Sequence, residues 1–141
     1  MTDPVTDAVT VIMRWIHIAS MAILIGGVLY GRLVMVPAMV GLGEDARAAM
    51  SERAAARYRP LVMLAIAGLI ISGLFRLAIT PGHHRFYHML LGLKLLLVLH
   101  VFAVAFLIVQ PQHPRRVRLM TGMMFSGLII IAISAWLSRT F

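Results

Sequence analysis

The chain has 141 residues, of which 61% are hydrophobic and 13% charged, with a formal net charge of +8 and no cysteine. So little polar surface cannot wrap a water-soluble core of this size, and the absence of thiols excludes disulfides, thiolate metal sites and covalent c-type haem attachment. The basic balance would suggest nucleic acid in a soluble protein, but here it falls at the ends of apolar segments, where topology and lipid headgroups account for it and no nucleic-acid partner is expected.

The apolar residues gather into four runs, each reaching the roughly 20 residues that a helix needs to cross a ~30 Å hydrocarbon layer. They are predicted at about 11–40, 61–80, 86–110 and 119–138. The alternating pattern of a barrel strand is absent, and a backbone in lipid must satisfy its own hydrogen bonds. The expected fold is therefore all-α: an integral membrane four-helix bundle, up-down-up-down, forming a single transmembrane domain over 1–141.

Ahead of the first run stand Asp3 and Asp7 rather than a basic segment, and the run is too long for a signal-peptide core, so it is expected to remain as a helix. Between the first and second runs, residues 44–58 are rich in alanine and arginine and are bounded by Gly43 and Pro60, which predicts a short interfacial helix. Four spans put both termini and the turn from Pro81 to Arg85 on one face, A, and the other two connections on face B. Face B carries Arg32, Arg47, Arg53, Arg57, Arg59, Arg115, Arg116 and Arg118; face A carries Arg14, Arg76, Arg85 and Arg139, offset by Asp3 and Asp7. The arginine excess makes B cytoplasmic and the termini periplasmic in a bacterial-type inner membrane. Trp15, Phe86, Tyr87 and Trp136 fall near face A and Tyr30 and Tyr58 near face B, as an aromatic belt requires. Small residues at helical spacing, Gly27 and Gly31, Gly68 and Ser72, Gly127 and Ser134, let helices approach closely or make room for a flat cofactor.

Ionisable residues inside spans are costly and call for a reason. His17 lies three residues after Arg14, and His88 three residues after Arg85, on two helices that both run inward from face A. Equal depth on parallel-running helices suits a bis-histidine haem b site, since bundle interiors build cofactor sites from facing helices. Arg14, Arg76 and Arg85 would pair with its propionates, and Gly92, one turn beyond His88, would leave space for the porphyrin. The same histidines also read as interfacial residues bonded to neighbouring helices or headgroups. A copper or zinc site is a further reading, because His83, His84 and His88 cluster and His84 and His88 stand at i, i+4. His100 lies about 18 Å deeper than His88 and cannot serve the same iron; Met63, Met123 or Met124 would be its only metal-binding company, and a hydrogen-bonded core role also fits. Lys94, near the centre of the third span, has no acidic residue in any span to pair with, so a cofactor carboxylate or quinone oxygen is a candidate partner. Hydrolytic and phosphoryl-transfer chemistry has no foothold, for there is no carboxylate dyad, nucleophile–base pair or phosphate loop.

The first run reads Arg14-Trp15-Ile16-His17-Ile18 and continues to Gly26-Gly27-Val28-Leu29-Tyr30 and Arg32. In this it resembles the opening helix of the small four-helix membrane proteins of the HemJ type and of the CopD-like copper-resistance membrane domain. The third run, from Tyr87 to Val101 with Lys94 inside it, is similar to the lysine-containing helix of both groups. The resemblance covers about half of the chain. The HemJ likeness implies a haem-b-binding oxidoreductase acting on a porphyrinogen, with His17 at the position of the functional histidine; the CopD likeness implies copper handling. The expected function is thus a b-type haem protein for electron transfer or for oxidation of a lipophilic substrate, a quinol or porphyrinogen. The alternatives are a copper-handling protein and a non-catalytic subunit of a homo-oligomer or larger membrane complex.

Overall fold

The computed structural model of the protein describes residues 4–79, 85–110 and 115–140, and the side chains within them apart from those of 85–91, 94 and 137–140. Among the described residues, five α-helices and one π-helical turn follow in order: α1 (Pro4–Tyr30), the π turn (Gly31–Met35), α2 (Val36–Ala38), α3 (Glu44–Ile79), α4 (Arg85–Ile108) and α5 (Arg116–Thr140). No strand occurs among the described residues.

Among the described residues, three helical stretches, Pro4–Ala38, Glu44–Ile79 and Arg116–Trp136, are long and apolar enough to cross a membrane. The 24 residues of α4 add a fourth rod of about 36 Å at 1.5 Å per residue. In the most apolar window of the three, only 17%, 22% and 17% of residues are buried inside the protein. Most apolar side chains therefore face outward, Trp15, Ile71, Leu96 and Phe125 among them. A surface of that kind aggregates in water and is at rest in lipid.

Neighbours in sequence pack antiparallel. The main contacts join α1 to α3 and α4 to α5; α1 also meets α5, while α3 meets α4 only slightly. This cyclic order sets α1 and α4 across the diagonal, both starting at the A end. The core strings Leu24, Val62 and Met123, all fully buried, together with Val28, Ala65, Leu69, Val104, Ala105, Ile108 and Ile130. Close approach is made at glycines. A Cβ on Gly68 would collide with Ser20 of α1, and one on Gly127 would stand 3.1 Å from Ile25 Cγ1. The small-residue faces thus serve helix packing, and Gly27 is taken up by the ring of Tyr58.

Two details depart from expectation at the B end. Residues 44–58 do not form a separate interfacial helix but run through Pro60 into the second span as one 36-residue helix. Pro60 removes one backbone hydrogen bond, yet the chain is pinned on both sides of it. Tyr58 Oη donates to the carbonyl oxygens of Ile23 (2.6 Å) and Leu24 (3.2 Å), and Val62 is buried beyond it. Tyr58 is accordingly a helix clamp, whereas Tyr30 is exposed as an interfacial aromatic should be. The first span also widens at Gly31–Met35, where Val36 N–H bonds Gly31 O in i→i+5 fashion. Pro37 follows at once. Its ring would crowd the Leu33 carbonyl in a regular helix, and a wider turn relieves that. Gly41, at φ +101°, then reverses the chain in a backbone conformation that side chains resist.

Candidate functional site

At the A end the structure bears on the histidine proposal through α1. Its inner face runs His17, Ser20, Leu24 and Val28 at helical spacing, and the half-buried His17 meets Ser72 of α3, with Nδ1 2.9 Å from Ser72 Oγ. The single hydroxyl proton of Ser72 is directed to Gly68 O at 2.6 Å. The Ser72 oxygen must then accept from His17, which places the imidazole proton on Nδ1 and the lone pair on Nε2. A hydrogen bond of this kind on the rear nitrogen is how a ligating histidine is aimed and made more basic.

Burial fades on the A side of this contact. Toward that end, Ser20, Ser72, Val101 and Ile130 are the last buried residues on α1, α3, α4 and α5 among those described. Gly92 of α4 is exposed, and a Cβ there would meet nothing within 4 Å. Arg14 and Arg76 are exposed on α1 and α3 at this end. His88 and Arg85 belong to the start of α4, but their side chains, like that of Lys94, lie outside the described residues, as do His83 and His84 altogether. Among the described residues no group of three or more histidine, cysteine or acidic residues could hold a metal ion.

His100 faces the other way. It is exposed and lines a cavity of about 320 Å³ with Arg115 and Arg118. Of its proposed methionine partners, Met123 is buried in the core and Met63 is 46% exposed on α3. The structure gives His100 basic company instead.

Three polar links at the B end escaped the sequence. Arg116 is only 7% exposed. Its Nη2 lies 2.8 Å from Glu52 Oε1 and donates to Gln110 O at 2.7 Å, while Nη1 donates to Ser51 Oγ at 2.9 Å. A cation opening a helix opposes the helix dipole, so Arg116 requires the carboxylate of Glu52. Its Nε is buried without a hydrogen-bond partner. Arg32, on the π turn, donates from Nε to Thr121 Oγ1 at 3.0 Å and ties α1 to α5. Tyr58 supplies the third link. Sequence offered only a run of arginines in which the buried one could not be told from its neighbours.

Around Arg116 opens a cavity of about 980 Å³, walled by the end of α1, the π turn, α2, the first half of α3, the end of α4 and the start of α5. Apolar side chains such as Met35, Met39 and Met120 form its body, and Arg47 and Arg57 join Arg116 along its polar side. Comparison with protein families, with curated proteins and with solved structures finds no match to this chain. The class the chain itself defines is an all-helical bundle whose main helices suit a membrane.

Proposed function

We propose that the protein is a membrane b-type haem protein of the electron-transfer or lipophilic-substrate-oxidising kind, in which His17 and His88 would hold the iron. The observation that carries this reading is the half-buried His17 ring on the inner face of α1, oriented through Nδ1 by Ser72 of α3. The donor set fits haem iron, which takes neutral imidazoles.

Haem would supply one-electron chemistry at this site. The chain's own residues would fix the ring orientation through Ser72, set potential through burial, and offer Arg14, Arg76 and Arg85 to acidic groups near the A end. A quinol or porphyrinogen would arrive from the lipid.

The test is a reduced-minus-oxidised spectrum of the purified full chain. Sharp α and Soret bands are expected, lost in His17→Ala and in His88→Ala. In Ser72→Ala the bands should persist but shift in midpoint potential, because the ligand loses its rear hydrogen bond. Bands unchanged in both histidine variants, or bound copper with no such bands, would refute the assignment.

A further inference from the structure

We infer that the B-end cavity is a binding site for an anionic phospholipid, whose phosphate meets Arg116 and Arg57 while an acyl chain lies along the methionine-lined wall. This does not rest on the haem proposal, since the two sites occupy opposite ends of the bundle.

The case begins with Arg116. Its guanidinium is 7% exposed and lines the cavity, and three of its contacts are protein groups, yet the Nε proton has no acceptor. The Nε atom itself is sealed from solvent, so a headgroup would not reach it; what it marks is a cation at the cavity wall whose donors the protein satisfies only in part. Charge sets the sign of the ligand. Glu52 is already engaged by Arg116, so Arg47 and Arg57 outweigh Glu44 among the remaining charges of the lining. An anion is favoured, and a neutral quinone would have no use for these guanidiniums.

Shape sets the rest. At about 980 Å³ the cavity is at the upper end of ligand pockets and far larger than a free phosphate needs. Its body is apolar, with Val28, Met35, Met39, Ile108 and Met120 in the wall, and flexible thioethers adapt to a mobile chain. A molecule with an acidic head and a long apolar tail matches both halves. The site also lies where the helices of the bundle end among arginines, the depth at which basic pockets between spans meet lipid headgroups.

The full-length chain in neutral detergent should be examined by native mass spectrometry with phosphatidylglycerol, with phosphatidylcholine of the same acyl chains, and with excess inorganic phosphate as competitor. Native protein should retain phosphatidylglycerol at least about five-fold better than phosphatidylcholine, and Arg57→Gln should lower that preference by about five-fold, the usual weight of one basic residue at a membrane surface. Arg116→Gln should lower it further. Because that variant also loses the bond to Glu52, Ala48→Trp gives an independent arm: Ala48 is exposed and lines the cavity, so an indole there should block both lipids without disturbing the core. Equal retention of the two lipids, displacement of phosphatidylglycerol by inorganic phosphate, a preference unchanged in Arg57→Gln, or retention unchanged in Ala48→Trp would each overturn the proposal.

Discussion

Gly26 and Gly27 are adjacent in sequence and opposite in consequence. A methyl on Gly26 would meet nothing within 4 Å, whereas one on Gly27 would collide with the hydroxyl end of Tyr58, the group that bonds the carbonyls of Ile23 and Leu24. Gly26→Ala should leave stability unchanged or slightly raised, since alanine suits a helix better. Gly27→Ala should cost about 1–3 kcal/mol by forcing the ring aside. Tyr58→Phe should cost about 1 kcal/mol through the lost hydrogen bond alone. Thermal unfolding in detergent separates the three, and the Gly27→Ala, Tyr58→Phe double variant should be less than additive because both changes act on one contact. The repeat of small residues was visible in the sequence; which of two neighbouring glycines holds the aromatic ring was not, because that depends on how α1 is rotated against α3.

At the scale of the element, α3 and α5 are the informative helices. An alanine-rich amphipathic stretch followed by proline reads as a separate helix, and it would be one if nothing held it in line. Tyr58 from one side and Glu52 from the other bind it to α1 and α5 instead, and the helix continues through Pro60. Removing the carboxylate charge with Glu52→Gln leaves the Arg116 guanidinium buried at a helix N-terminus without its counter-ion. We expect a loss of about 1–3 kcal/mol in unfolding experiments. Arg53→Gln, an exposed neighbour on the same helix, should change nothing measurable. An equal effect of the two substitutions would argue that the arginine run acts only as diffuse charge.

For the whole molecule, the cyclic order of helices makes a test that is clean because the native chain has no cysteine. The Gly127 Cβ position stands 3.1 Å from Ile25 Cγ1, so cysteines at 25 and 127 fall within the separation that a disulfide spans. The Ile25→Cys, Gly127→Cys pair should lose maleimide labelling after mild oxidation, whereas Ile25→Cys with Gly92→Cys, on the diagonal helices, should keep it. Protection of the second pair and not the first would mean a different helix order.

Hydropathy alone determined that this chain is helical, apolar on its outside and built from four long segments, because lipid offers no partner to an unpaired backbone and leaves few other solutions. His17 stood out in the sequence as an ionisable residue within a span; that it is half-buried on the inner face beside Ser72 came from the structure. The choice of Arg116 from a run of three arginines, the continuity of α3 through Pro60 and the basic cavity came from tertiary structure alone. Each depends on the rotation and register of one helix against another, which are set by a few contacts between residues distant in sequence, such as Arg32 with Thr121 and Ser20 against Gly68, and leave no periodic trace in the chain.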